Sequence, residues 1–554
     1  MHKKIVPSPL TLKSLIDYSV SQFADCTSVS FVDGKPITYK ELGEKIDEFA
    51  ALLFSSGLKK GDKVALFSHN MPNWVIAYFS VVSRGLIIVP VLPDFTTEEV
   101  ENVLTHSESK VLIVSERLFP KVSQIETPDL IVKIKLDDFT FLSDISKLTF
   151  DSNKITETDV TEDDVAAIIY TSGTTGRSKG VVLKHKSVTF VAMQSYTVQP
   201  INHNDVFLSF LPLSHTYENS IGMLYPIMYG ATIYFLEKLP TAPVLIAAME
   251  KIKPTMMLSV PLIMEKLYKN QIYLKFRTSM LKKLVYRTPV TRKIIHHIAG
   301  KKLYKTFGGR LKFFGIGGAK LDYYVERFLK EAKFPYAIGY GLTETAPLLA
   351  GAAPHQTKLQ STGYALEGVE LRINEPDELG VGEIWAKGPN VMLEYYKNPE
   401  ATAEVLTTDK WFRTGDLGQF DKKKRLFIKG RLKNTIIGAS GENIYPEDIE
   451  SIINNTAYVS ESLVVEEDGF LVAKILLDLE MAEKNIEHIK LIIEEKKEHY
   501  HDWKNQLKKD INSKLGRSSQ INRVDIMEEP FEKTASQKIK RFKYQKTKSK
   551  HDKK

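Results

Sequence analysis

Along the first third of the chain, apolar positions switch repeatedly between a helical and an alternating period. Leu12 to Phe23 is amphipathic at helical spacing, and Ser28–Val32 reads as a strand before the turn Asp33-Gly34-Lys35-Pro36. Thr38 and Glu41 form a capping box that opens a helix running to about Gly57. Lys63–Ser68 is then strand-like, Asn73–Val82 helical and Leu86–Val91 strand-like. Thr96 with Glu99 makes a second capping box, and Lys110–Ser115 a further strand. Strands that alternate with helices predict α/β layers around a largely parallel sheet. From Leu130 to Asp164 the pattern weakens and turns acidic, which reads as a connection into a glycine-rich loop.

That connection enters Ile168 to His185, IIYTSGTTGRSKGVVLKH. A buried strand ends at Tyr170 and a second runs from Val181 to Leu183. Between them stand Thr171, Ser172, Gly173, Thr174, Thr175, Gly176 and Lys179. Glycines let the backbone approach a ligand closely. Hydroxyls, free amide N–H groups and one lysine make a concavity suited to phosphate oxygens. The spacing is not that of a P-loop, which needs Gly-Lys-Ser/Thr opening a helix. A hairpin loop without any ligand satisfies the same pattern.

Leu267 to Arg310 is basic and aromatic, with helical spacing. A soluble helical pair and an interfacial amphipathic surface both fit it. Strand-like Leu311–Ile316 leads into Gly317-Gly318-Ala319, and after Gly430 the composition shifts to Lys, Glu and Ile. This predicts a large domain over 1–430, a small α/β domain over 431–544 and a disordered basic tail over 545–554.

Composition narrows the class. A chain of 554 residues, 43% hydrophobic and 26% charged, suits a soluble enzyme with more than one domain. Met1 to Leu12 lacks the apolar core of a secretory signal. The most apolar stretch, Trp74 to Pro93, is broken by Ser83-Arg84-Gly85, which argues against a membrane span. A single cysteine, Cys26, excludes an internal disulfide and suits the cytoplasm. The net charge of +8 gathers in Lys266–Lys305 and Lys538–Lys554; it reads as solvated surface, with no nucleic-acid partner expected.

Four further motifs carry polar chemistry. Leu211 to Glu218, LPLSHTYE, places His215 and a glutamate beside an apolar helix with Asn219, Gly222 and Met223. Gly339 to Thr345, GYGLTET, places Glu344 between two hydroxyls behind a glycine turn. WFRTGD ends at Asp416 and precedes Lys429-Gly-Arg-Leu-Lys433. EKTASQKIKR contains Lys538. Taken singly, His215 reads as a structural histidine, Glu344 as a helix cap, Asp416 as a turn residue and Lys538 as surface.

Together and in this order, the five motifs closely resemble the adenylate-forming superfamily of acyl-CoA synthetases, from about Leu12 to Arg541. The nearest subgroup resembles the bacterial long-chain fatty acid–CoA ligases. That likeness rests on LPLSHTYE, the basic segment before Gly308-Gly309-Arg310, GASGENIYPEDIE (Gly438 to Glu450) and PFEKTASQKIKR (Pro530 to Arg541). The resemblance implies a layered α/β N-terminal domain of several subdomains and a small mobile C-terminal domain. It also implies two half-reactions: a carboxylate and ATP give acyl-adenylate and pyrophosphate, then coenzyme A takes the acyl group.

Carried over residue by residue, the resemblance assigns Thr171 to Lys179 to the β- and γ-phosphates. Glu344 and Thr171 would hold Mg²⁺, which needs only one or two protein oxygens. Thr343 would contact the α-phosphate. Gly317, Gly318 and Ala319, with Gly339, Tyr340 and Gly341, would form the adenine slot. Asp416, supported by Arg431, would take the ribose hydroxyls. Lys538 would neutralise charge at the reacting phosphorus, and Lys433 would be the hinge. His215 would sit by the acyl carboxylate, Asn219, Gly222 and Met223 would wall the acyl tunnel, and Ser440, Gly441 and Glu442 would line the coenzyme A side.

Three positions depart from the family pattern: Ser178 replaces a proline, Gln537 a glycine, and Ile437 a second nucleotide-contacting lysine. A carrier protein as acceptor, a luciferase-like oxygenase and a non-catalytic nucleotide- or lipid-binding relative remain open. So do a homodimer and a peripheral membrane contact through the basic segment.

Overall fold

The structure, a computed structural model, describes residues 4–143, 159–171, 178–269, 286, 288–438, 443–456, 459–477, 497–516, 519–534 and 538–545. Both capping boxes form. The Thr38 hydroxyl accepts from the Glu41 N–H at 3.2 Å while the Glu41 carboxylate accepts from the Thr38 N–H at 2.7 Å. Thr96 and Glu99 repeat the exchange. The helices they open span Tyr39–Ser55 and Thr97–Ser107.

The alternation of helix and strand closes into two seven-stranded sheets among the described residues. In one, Val165–Thr171, Ile87–Val91, Lys63–Phe67, Ser109–Val114 and Val132–Lys135 run parallel as neighbours in that order. Lys179–Lys184 then folds back antiparallel on Val165–Thr171, pairing Thr171 with Lys179. The short strand Glu394–Tyr395 adds to its outer edge. The other sheet is parallel from Tyr336–Ile338 through Phe313–Ile316, Met256–Ser259, Val206–Ser209 and Thr232–Phe235 to Thr27–Phe31, with Ile37–Thr38 antiparallel at the end. The α/β class expected from the sequence is the one observed.

The connection from Leu130 holds a short strand, Val132–Lys135, that the sequence reading did not single out. Its signal was the four-residue alternation Val-Lys-Ile-Lys, masked by the acidic residues around it. Val132 and Ile134 enter the core, while Lys133 donates to the Ser123 carbonyl at 2.9 Å.

The helix Pro72–Val82 explains the apolar run read from Trp74. All nine residues from Trp74 to Val82 are buried, so the helix is covered on every side. Trp74 and Tyr78 stack within it, centroids 5.4 Å apart. No helix of the described residues is long and apolar enough to cross a membrane.

Two smaller sheets, the first antiparallel and the second mixed, carry the later part of the chain. A four-stranded sheet joins Glu370–Asn374, Gly382–Lys387, Phe412–Phe420 and Leu426–Arg431. After it, Val459–Glu467, Phe470–Leu477 and Arg523–Met527 form a three-stranded sheet with a core of its own, built on Ile449, Ile453, Val464, Ile475 and Ile511. Polar groups join this later unit to the rest. Asp322 accepts from Ser451 at 2.9 Å and from Asn455, and Lys320 pairs with Asp448.

Candidate active site

Asp416 is aimed by a bulge. Between the pairs Glu383–Leu417 and Trp385–Arg413, the three residues Thr414, Gly415 and Asp416 oppose Ile384 alone. Gly415 takes φ of +68°, a backbone angle that side chains disfavour. Thr414 donates to the Ile384 carbonyl at 2.7 Å and accepts from the Asp416 N–H at 3.1 Å. The Asp416 side chain is thereby turned inward, with only 5% of the residue exposed. Its Oδ1 meets Arg431 Nε at 2.7 Å across the strand pair, and its Oδ2 accepts from the Tyr340 hydroxyl at 2.8 Å. Burial pushes the Asp416 carboxyl up, while Arg431 and the Tyr340 hydroxyl pull it back.

Tyr340 belongs to the glycine turn. Tyr340–Gly341 pairs with Leu348–Gly351, and a Cβ on Gly341 would lie 1.6 Å from the Pro347 carbonyl oxygen. Only glycine fits there. The next residues form a 3₁₀ turn, Thr343–Thr345, held by the Thr345 hydroxyl, which accepts from the Leu342 N–H at 3.1 Å and donates to the Pro347 carbonyl at 2.8 Å. The Glu344 carbonyl accepts from the Met392 N–H at 2.8 Å, which fixes its backbone, and Tyr395 fixes its side chain by donating to Oε1 at 2.7 Å.

Tyr395 was not legible as a site residue. Its strand pairs it with Val181, and its ring lies 4.7 Å from the Lys179 ammonium. It therefore links the lysine that follows the Ser/Thr/Gly loop to the carboxylate of the distant motif. Thr171 and Lys179 lie opposite each other at the loop's base, with the Thr171 hydroxyl 3.5 Å from the Lys179 carbonyl. Ser172, Gly173, Thr174, Thr175 and Gly176 lie outside the described residues, as do Ser440, Gly441 and Glu442.

Lys538 sits in a small turn. Its carbonyl accepts from the Thr534 N–H at 2.8 Å, and its N–H donates to the Thr534 hydroxyl at 3.2 Å. The residue is exposed, and the charges of Arg431, Asp416 and Glu344 act on its ammonium. Loss of water and then the Arg431 charge lower its pKa, against the pull of Asp416 and Glu344. The same lysine also reaches His215. Burial first, and the Lys538 charge second, bring that imidazole down to about 4. Its Nδ1 accepts from the Tyr217 N–H at 3.2 Å, as a neutral ring can. His215, Glu344, Asp416, Arg431 and Lys538 thus face one cleft, although they come from four separate motifs.

A Cβ on Gly317 would lie 3.0 Å from the Tyr217 ring, so that ring fills the space at Gly317. Gly318 turns the chain at φ of +87° and leaves the exposed Ala319 beside it. Lys433 is exposed, just past the end of the strand Leu426–Arg431. Ile437 is 72% exposed where the family pattern has a lysine.

Asn219, Gly222 and Met223 are buried in the π-helical turn Glu218–Leu224, a helical form frequent at functional sites. Glu218 is the surprise there. It is 2% exposed, and its Oε2 has no hydrogen-bond partner among the described residues. A Cβ on Gly222 would stand 2.6 Å from the Glu218 carboxyl carbon, so the absent side chain one turn on makes its room. Burial raises the Glu218 carboxyl to about 8, opposed by the Ser209 hydroxyl, and it is protonated at neutral pH. The unfolded chain ionises this group in the ordinary carboxylate range while the folded chain keeps its proton. Its contribution to stability therefore falls as pH rises from about 4.5 to about 8. Glu218→Gln should raise the melting temperature by about 2 °C or more at pH 8. The gain should shrink toward pH 5; a gain independent of pH would contradict the assignment.

Comparison with known proteins follows the same outline. The family model described as "AMP-binding enzyme" matches residues 16–396. Fatty acyl-CoA synthetase A of Dictyostelium discoideum is 28% identical over 82% of this chain and 73% of its own length. 4-Coumarate–CoA ligase 1 of Arabidopsis thaliana is 29% identical over 83% and 81%. Among solved structures, O-succinylbenzoate coenzyme A synthetase from Bacillus subtilis in complex with AMP superposes with a TM-score of 0.74. It covers 95% of this chain and 97% of that one at 23% identity, a likeness of fold.

Proposed function

The chain belongs to the family of AMP-binding enzymes, and from that premise we propose that it activates a long-chain fatty acid with ATP and transfers the acyl group to coenzyme A. One observation supports this most. A cationic lysine from residue 538, a buried aspartate with its arginine and a pinned glutamate converge on one cleft. Those are the groups that an attack on phosphorus asks for.

In the first half-reaction a carboxylate oxygen bonds to the α-phosphorus of ATP, and the bond from that phosphorus to pyrophosphate breaks. Lys538 balances the charge gathering on the phosphoryl oxygens, an electrostatic role that dominates such transfers. Asp416 holds the ribose: a carboxylate has about four acceptor positions, and Arg431 and Tyr340 take one each. Lys179 and the loop before it take the leaving pyrophosphate. In the second half-reaction the coenzyme A sulfur bonds to the acyl carbon, the bond to AMP breaks, and the thiol proton leaves to solvent. The unit after residue 430 turns about Lys433 between the two halves.

The residues fit a magnesium ion. Among the described residues Tyr395 bonds one Glu344 oxygen and leaves the other open, and the Thr171 hydroxyl makes only a long contact at 3.5 Å. Such an ion, carried in on ATP, would neutralise phosphate charge at these two groups. Neutral His215 and the apolar wall from Gly222 and Met223 suit an uncharged acyl chain.

ATP–pyrophosphate exchange tests this reading with palmitate, oleate, 4-coumarate and O-succinylbenzoate as acids. Exchange should be strongest with the two fatty acids. Exchange with the aromatic acids alone would overturn the substrate, and none with any acid would overturn the enzyme. Product analysis with coenzyme A and with a holo-acyl carrier protein then decides the acceptor.

A further inference from the structure

The helix Pro289–Thr306 has one face that the described protein leaves bare. Val290, Ile294 and Ile298 recur every fourth residue and are 67%, 54% and 64% exposed. At about 100° per residue they span roughly 80° of arc, and Lys301 and Lys305 continue the same stripe. Lys293 and Lys302, also exposed, stand on its two sides. The opposite face is committed to the protein. His296 and Gly300 are buried, and a Cβ on Gly300 would come within 2.4 Å of the Ala332 Cβ.

Charge on this helix has one sign. It carries no aspartate or glutamate, and its arginine, Arg292, is engaged by Glu331 at 2.9 Å. Among the described residues no carboxylate pairs with Lys293, Lys301, Lys302 or Lys305. Beside the stripe opens a cleft of about 410 Å³, with His297, Lys301, Tyr304 and Lys333 at its polar positions and Phe334 and Pro335 at its apolar ones.

We infer that this face docks on an anionic phospholipid bilayer, Val290, Ile294 and Ile298 entering the acyl boundary and the four lysines lying at phosphate level. The combination selects this occupant. A dissolved phosphate would answer the lysines and leave the apolar stripe in water. A second copy of the chain, itself charged +8, would bring cations against cations. A bilayer surface takes both an apolar stripe and its cationic border. No helix of the described residues is long and apolar enough to cross a membrane, and the inferred contact is at the bilayer surface. The inference does not depend on the chain length of the substrate.

Co-sedimentation of the full chain with vesicles tests it. Phosphatidylcholine vesicles containing phosphatidylglycerol should retain the protein at low salt and release it at high salt, while phosphatidylcholine alone should not retain it. Lys301→Gln and Lys305→Gln should each weaken binding about 5-fold. The triple replacement of Val290, Ile294 and Ile298 by serine should weaken it 10-fold or more, with ATP–pyrophosphate exchange unchanged. Equal binding to neutral vesicles, or unaltered binding by the triple variant, overturns the inference. If the triple variant fails to fold, hydrogen exchange of the natural chain decides: vesicles should protect residues 289–306, and no protection there refutes the docking. A stripe that instead mediates self-association, seen as a monomer–dimer shift in the triple variant without vesicle binding by the natural chain, refutes it too.

Discussion

Lys538→Ala is expected to lower ATP–pyrophosphate exchange by about 10²–10³-fold, the range found when one preorganised charge is removed from a transition state. Lys538 brings a formal charge into a cleft that already holds Arg431, and burial makes that charge costly to keep. A cation retained against both effects is positioned for negative charge that arrives from outside the protein. In the second half-reaction no pyrophosphate departs, so the same variant given preformed acyl-adenylate should still make thioester within about 10-fold of the natural rate. Equal losses in the two assays would remove Lys538 from the phosphorus chemistry and leave it a structural role.

Asp416→Asn should raise KM for ATP by about 10–10²-fold, with a smaller fall in kcat, because it removes binding common to ground and transition states. Asparagine keeps the shape and can still accept from Tyr340. What it loses is the charge that faces Arg431 at 2.7 Å. A buried ion pair broken on one side leaves the other charge uncompensated. Arg431 is spared part of that cost because its side chain is 48% exposed. The distinguishing readout is the sugar. The natural enzyme should discriminate strongly between ATP and 2′,3′-dideoxy-ATP, and the variant should discriminate little. Undiminished discrimination would place the ribose elsewhere.

What could be read from the sequence was what local chemistry dictates. Thr38 with Glu41 and Thr96 with Glu99 announce their helix starts because both partners lie within one turn. The strand, loop and returning strand around Gly180 are equally local. The larger site was legible only as an ordered set of motifs, since nothing local in Lys538 or Asp416 distinguishes them from surface. The missed features depend on approach through space. Tyr395 acquires its role from a two-residue edge strand that lays it on Val181 and against Glu344. Tyr217 takes the space left by Gly317 from another motif altogether. The protonation of Glu218 follows from its burial, which the polar run from Ser214 to Ser220 in the sequence does not suggest.

Asp322 carries a consequence for motion. One of its oxygens accepts from the Tyr324 and Val325 N–H groups and caps the helix Tyr323–Glu331, while the other receives Ser451 and Asn455 from the later unit. If that unit swings away, the cap stays intact and only the second oxygen changes partners. Water can replace Ser451 and Asn455 there at a net cost of about 0.5–1.5 kcal/mol for each bond. In such a motion the Asp322 seam would act as a detachable clasp, and its release would leave no helix end exposed.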